Sequence, residues 1–326
     1  MPEEGFTVSA SSGVLLFAAL CALAAAPAAA QEYPSKLIRF IVPSTPGSSV
    51  DLVGRVLAPE MSRLLGQNIL VENRPGAANL IAFEYVATQV PNDGYVIAVA
   101  STNSLAILPI VVKAMRFDPV KDLPPIIGVG ESRLLFGSAV KLPWQDFKQL
   151  IAYGKANPGK LNHGASAPIS RLPTELVLRT HGIQAVYINY PVVGPYTQAL
   201  RMADIHMGIV SDAQYNSLGD SWRVLAVTGD KRYPDLPDTP TFKELGFPQL
   251  GGQKFSLHAP AGVPRPVIDK LYAAASHALA MPEVQARLLK IAIEVSVEDP
   301  QTALKSLIDI TNLYTGIAKE IGFKPE

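Results

Sequence analysis

Nine residues, Pro43-Ser44-Thr45-Pro46-Gly47-Ser48-Ser49-Val50-Asp51, join the apolar run 37–42 to a stretch whose apolar residues recur at helical spacing from Val50 onward. They read as strand, tight loop and helix start. The chemistry on offer is anion binding. First-turn N–H groups have no acceptor within their helix, the positive end of the helix dipole lies behind them, and Gly47 lets a solute approach the main chain. The same residues fit a second role, because Ser48-x-x-Asp51 matches a capping box, in which hydroxyl and carboxylate satisfy the helix's own donors. At this loop both readings stand.

The elements that must hold the loop follow from pattern. Val50, Val53, Leu57, Met61 and Leu64 form an apolar stripe that Gly66 ends. Apolar runs at 37–42, 69–71, 95–100, 126–129, 134–138, 185–188 and 224–228 alternate with helical patterns. This predicts an α/β protein with mainly parallel sheets flanked by helices, an architecture that places ligands beyond the carboxyl ends of strands. The loop 43–49 occupies such a place, and Ser101-Thr102-Asn103-Ser104 follows the run 95–100 in the same way. The proline-rich segment 234–248 reads as an ordered surface connection or a link between domains. Helical patterns opening on proline at 266–280, 282–293 and 300–321 close the chain.

Bulk properties narrow the function classes. With 326 residues, 48% hydrophobic and 17% charged, and zero formal net charge, the chain suits two domains and lacks a nucleic-acid footprint. Residues 14–26 are almost wholly Ala, Leu, Val and Phe and lead to Ala28-Ala29-Ala30. That pattern predicts a signal peptide over 1–30, removed near Ala30, and a periplasmic mature protein. Glu3 and Glu4 depart from it, since such leaders begin basic. Cys21, the only cysteine, falls in the leader and leaves no disulfide to form. His163, His181, His206, His258 and His277 show no metal-ligand spacing, and no phosphate-loop or dinucleotide glycine pattern appears. Gly219-Asp220-Ser221 resembles part of a hydrolase motif but precedes a strand and lacks the strand-to-helix elbow. No catalytic residue, metal or cofactor is expected.

Taken in order, Tyr33-Pro34-Ser35-Lys36, the 43–51 loop, Val71-Glu72-Asn73-Arg74-Pro75-Gly76-Ala77, Asp93-Gly94-Tyr95, Phe117-Asp118-Pro119, Pro158-Gly159-Lys160-Leu161-Asn162, Leu225-Ala226-Val227-Thr228, Leu236-Pro237-Asp238-Thr239-Pro240-Thr241 and Ala259-Pro260-Ala261-Gly262-Val263-Pro264 are landmarks. Their ordered conjunction resembles the Bug family of extracytoplasmic solute receptors, the binding components of tripartite tricarboxylate transporters. The resemblance implies a two-lobed periplasmic-binding-protein fold of type II-like form, crossed twice by the chain, with lobe I at 31–132 and 244–326 and lobe II at 133–243. It implies a small organic acid held in the cleft, a membrane transporter as partner, and a monomer. Carried over by position, the ligand-binding candidates are Ser44, Thr45, Gly47, Ser48, Asp51, Ser101 and Asn103 in the first lobe, and Ser166, Ser170, Tyr190 and Asp212 in the second. Arg171 stands near where relatives carry histidine, and a bidentate grip on a ligand carboxylate is the role expected of it. Relatives usually carry glycine at Ser48 and an aromatic at Ser44, so this loop has extra hydroxyls. A ligand sensor signalling to a membrane protein, and an exported hydrolase, are the alternative functions.

Overall fold

The computed structural model describes Pro2 and residues 32–324 other than Ala114, Ala167 and Pro191. The expected leader, its cleavage near Ala30 and Cys21 lie outside the described residues. From Lys36 onward the elements run β1 (Ile38–Val42), α1 (Ser49–Leu65), β2 (Ile69–Asn73), α2 (Leu80–Thr88), β3 (Val96–Ser101), α3 (Thr102–Val111), α4 (Pro119–Asp122) and β4 (Pro125–Ser132). The chain then continues through β5 (Leu134–Ala139), α5 (Phe147–Ala156), β6 (Leu161–Ala165), α6 (Pro168–Thr180), β7 (Ala185–Asn189), α7 (Val193–Met202), β8 (Gly208–Ser211), α8 (Asp212–Leu218) and β9 (Trp222–Val227). It returns through β10 (Gln253–His258), α9 (Arg265–Ala280), α10 (Pro282–Leu289), β11 (Ile293–Glu298) and α11 (Pro300–Glu320).

The α/β two-lobed architecture is present. The first lobe is built on a sheet ordered β11-β4-β10-β3-β1-β2, and the second on β8-β5-β9 beside the pair β6-β7. The sheets are mixed, which corrects the mainly parallel pairing read from alternation. β1 pairs parallel with β2 and β3, but β10 runs antiparallel to β3 and β4, and β11 antiparallel to β4. The cause is the chain crossing. β4 leaves the first sheet at Ser132 and β10 re-enters it at Gln253, and these two residues are register partners at the same end. Gly252 makes that close pass feasible, since a Cβ there would lie 2.6 Å from the Ser132 carbonyl oxygen.

Burial follows the apolar pattern. Ile38, Phe40, Ile41 and Val42 are fully buried in β1, as expected of a strand covered on both faces. Val53, Leu57 and Met61 form the buried face of α1, and Gly66 ends the helix at φ +69°. One apolar cluster lies in the first lobe around Phe83, Leu105 and Leu307. A second gathers Phe136, Trp144, Leu176 and Phe242, together with Ile107 of α3, Tyr314 and Ile317 of α11, and Ile321 just after it. Fully burying a side chain such as Phe136 contributes roughly 1.5–3 kcal/mol.

Three further expectations change. Strands β6, β8, β10 and β11 were not legible as apolar runs. The helix expected over 282–293 ends at Leu289, because Ala292 turns left-handed at φ +56° and Ile293 opens β11. The segment 234–248 is ordered but not merely superficial, since Phe242 and Phe247 pack in the cluster around Phe136.

Candidate functional site

The helix start at α1 forms one half of the capping box and turns the Asp51 carboxylate to another donor. Ser48 caps the helix, its Oγ accepting from the Asp51 N–H at 3.3 Å. The Asp51 carboxylate reaches past the cap residue and accepts from the Gly47 N–H at 2.9 Å, from Arg55 Nε at 2.9 Å and from Asn73 Nδ2 at 2.8 Å. Burial pushes the Asp51 carboxyl up, but these three bonds outweigh it and hold the pKa below the ordinary carboxylate value. Gly47 adopts φ +84°, which only glycine takes without strain, and no atom lies within 4 Å of where its Cβ would be. Asp51 thus clamps the loop from behind, while Ser49 and Val50, whose first-turn N–H groups have no intrahelical acceptor, face a cavity.

That cavity, of about 370 Å³, draws its wall from both lobes. Ser44, Gly47, Ser48 and Ser104 come from the first lobe, and Ser166, Ser170, Thr197 and Gln214 from the second. First-turn residues of five helices reach it: Ser49 and Val50 of α1, Ser104 of α3, Ile169 and Ser170 of α6, Val193 and Gly194 of α7, and Ala213 and Gln214 of α8. α7 has no side-chain cap, whereas α8 is closed by a capping box between Ser211 and Gln214. Convergent helix starts and hydroxyls on a wall that has no carboxylate among the described residues favour an anionic solute. A smaller cavity of about 190 Å³ shares Ser44, Asn79, Ser166 and Val193 with the first and adds Thr45, Arg171 and Tyr190. Burial, and then Asp204, push the Tyr190 hydroxyl pKa up, so it is a neutral donor.

The structure therefore brings together Ser44, Thr45, Gly47, Ser48, Ser166, Ser170, Arg171 and Tyr190 along one bipartite cleft. It does not bring Asp51, Ser101, Asn103 or Asp212 to either wall, and each is committed elsewhere. Ser101 caps α3, its Oγ accepting from the Ser104 N–H. Asn103 joins α3 to β10, accepting from the Lys254 N–H at 2.8 Å and donating to the Gly252 carbonyl at 3.2 Å. Asp212 accepts from Arg133 Nε at 2.7 Å at the outgoing crossing. Arg133 also grips Asp235 with two nitrogens at 2.7 and 2.6 Å. Its pKa is raised, first by Asp235, whereas burial leaves the Asp212 carboxyl above its ordinary value despite the ion pair. Arg171 is placed differently from its expected role. It lines the smaller cavity, its Nε donates to Glu175 at 3.0 Å, and its guanidinium stacks on Tyr187 at 3.8 Å. Its carboxylate partner is thus part of the protein.

Sequence reasoning missed Asn79, Thr197, Gln198, Arg201, Gln214 and Ser217, which also line the larger cavity. The signal for α7 was there: Gly194, Thr197, Gln198 and Arg201 fall at i, i+3, i+4 and i+7, a polar stripe on one helical face. Gly219–Ser221 forms a short 3-10 turn in which Ser221 Oγ donates to the Leu218 carbonyl, so that serine acts in local structure.

Comparison with known proteins gives the same picture. The family described as tripartite tricarboxylate transporter family receptor matches residues 53–323. The UPF0065 protein in the gbd 5′ region of Cupriavidus necator is 35% identical over 323 residues, 96% of each chain. A solved structure of a periplasmic transporter superposes with a TM-score of 0.82 at 30% identity, covering 90% of this chain and 99% of the other. An R. palustris protein solved with adipate superposes with a TM-score of 0.83 at 28% identity, covering 90% of this chain and 100% of its own. With more than half of its length matched by the family and a relative above 30% identity, the chain belongs to the tripartite tricarboxylate transporter (TctC) receptors.

Proposed function

We propose that this protein is exported to the periplasm, captures a small carboxylate-bearing solute between its lobes and delivers it to a tripartite membrane transporter without transforming it. One observation carries the reading: first-turn residues of five helices and a set of hydroxyls converge from both lobes on a cavity whose wall, among the described residues, offers no carboxylate. Its neighbour solved with adipate supports an acid as the solute. The lobes meet at two crossings, one at Arg133 and one at Gly251–Gly252.

Magnitudes explain why both lobes are needed. Micromolar affinity requires roughly 8 kcal/mol. One helix start supplies about 2 kcal/mol at best, and each charge-assisted hydrogen bond roughly 1.5–3 kcal/mol. Groups from both lobes must therefore act on the same solute with water excluded. The test is calorimetric titration of the unfolded and refolded, ligand-free protein with mono-, di- and tricarboxylates, aromatic acids and amino acids. Micromolar binding of an acid, without its conversion, is expected. Failure to bind any of them, or turnover of one, overturns the reading. Deleting the gene should abolish uptake of the acid that binds; intact uptake with lost induction would instead mark a sensor.

A further inference from the structure

We infer that Arg201 is the residue that selects acids carrying a second carboxylate, at the end of α7 away from that helix's own start. This rests on the carboxylate-receptor reading above and deepens it. Among the described residues lining that cavity, Arg201 is the single charged side chain. It lies in the last turn of α7, a helix that runs along the wall: its uncapped start supplies Val193 and Gly194, its middle Thr197 and Gln198, and its end Arg201. Gly194 and Arg201 are seven residues apart, about 10 Å along the axis at the α-helical rise. Because helical side chains lean toward the N-terminus, the guanidinium reaches back and shortens that span. A solute with one carboxylate at the α7 start and another at Arg201 fits this layout, and a monoacid leaves the guanidinium unanswered.

The guanidinium is held in place by neutral groups. Nη1 donates to Gln198 Oε1 at 3.2 Å and Nη2 to the Ser217 carbonyl near the end of α8. These bonds use only part of its donor fork, and no carboxylate among the described residues pairs with it. Arg171, by contrast, is matched by Glu175, and Arg133 by Asp212 and Asp235. A last-turn arginine also complements its helix dipole. That accounts for a cation at this position but not for a wall stripped of carboxylates around it. Half-buried and unmatched, the planar fork suits bidentate capture of a carboxylate.

The experiment titrates refolded wild type and Arg201→Gln with straight-chain monoacids and diacids paired by carbon number, hexanoate against adipate among them, from four to eight carbons. In the wild type the best diacid should bind about tenfold or more tightly than its monoacid, the worth of one charge-assisted bidentate contact. In Arg201→Gln that ratio should fall toward one, and Arg201→Lys, a point charge without the fork, should lie between. A ratio unchanged in folded Arg201→Gln, or a wild type that prefers monoacids, overturns the assignment while leaving carboxylate binding intact. Should Arg201→Gln fail to fold, Arg201→Lys decides, because a ratio equal to the wild type's would exclude bidentate selection. A wild type that binds no acid overturns the receptor reading and this inference together.

Discussion

At the scale of single residues, the loop at α1 turns one side chain into the fold and others toward the cleft. Asp51 is 1% exposed and satisfies three donors from three parts of the first lobe, whereas Gly47, Ser48 and Ser49 face the cleft. Asp51→Ala removes the acceptor for the Gly47 N–H, Arg55 and Asn73. Because Arg55 is 47% exposed and rehydrates, the loss in unfolding free energy should be about 1–3 kcal/mol, less than for a wholly buried pair. Urea denaturation measures it, and acid affinity should fall with it because the loop loses its clamp. The residues facing the cleft were partly legible in the sequence. Ser44, Ser48, Ser166 and Ser170 follow strands or begin helices, which is where topology puts ligands. Asp51, Asn103 and Asp212 share those sequence positions but point into the fold, and a pattern of letters does not distinguish a carboxylate behind a wall from one on it. Thr197 and Arg201 carry a different signal, a polar stripe on one face of α7, because the direction of that helix along the cleft places them and not adjacency to a strand end.

At the scale of elements, pattern found the strands that are apolar and missed those whose burial is decided by partners. β10, Gln253–His258, alternates polar and apolar residues yet is buried, because Ser256 and His258 are satisfied internally: Thr102 Oγ1 lies 2.7 Å from Ser256 Oγ, which lies 2.7 Å from His258 Nε2. The hydrogen bonds removed the need for apolar letters. The helix expected over 282–293 runs into the first residue of β11 because Ile293 continues the stripe of α10, and the left-handed Ala292 ends that continuity. A second left-handed segment borders the smaller cavity, where Ala77, Ala78 and Asn79 have φ of +46°, +54° and +79°. An alanine in this region costs about 1–2 kcal/mol. Ala78→Gly should therefore stabilise the protein despite glycine's larger unfolded-state entropy, by up to about 1 kcal/mol. A rise in the urea midpoint with an unchanged slope would verify it, and a fall would show that the turn is not strained.

At the scale of the whole molecule, two buried imidazoles set its response to acid. Burial pushes the His258 pKa down to about 4, with Nδ1 facing the Leu123 carbonyl at 2.8 Å and Nε2 facing the Ser256 hydroxyl. That arrangement fixes the neutral form with the proton on Nδ1. Burial, and then Arg171 and Arg179, also push His163 down to about 4. The unfolded chain takes up these protons near pH 6.5 and the folded one only near 4, so the contribution is complete above pH 6.5 and is lost as pH falls toward 4. The loss is on the order of 3 kcal/mol for each histidine. Melting temperature should drop between pH 7 and pH 5, and His163→Gln should drop less. Closure is the other property of the whole. α11 contributes to both clusters, with Leu307 in the first-lobe cluster and Tyr314 and Ile317 in the second. Packed cores resist continuous deformation, so bending concentrates at the two crossings, where Arg133 bridges to Asp212 and Asp235 and Gly252 passes the Ser132 carbonyl. An acid that draws helix starts and Arg201 onto itself from both walls must bring the lobes together about those points. The radius of gyration in solution scattering should fall when the refolded protein is saturated with the tightest-binding acid. Superimposable profiles at saturation would mean that the cleft captures its solute without closing.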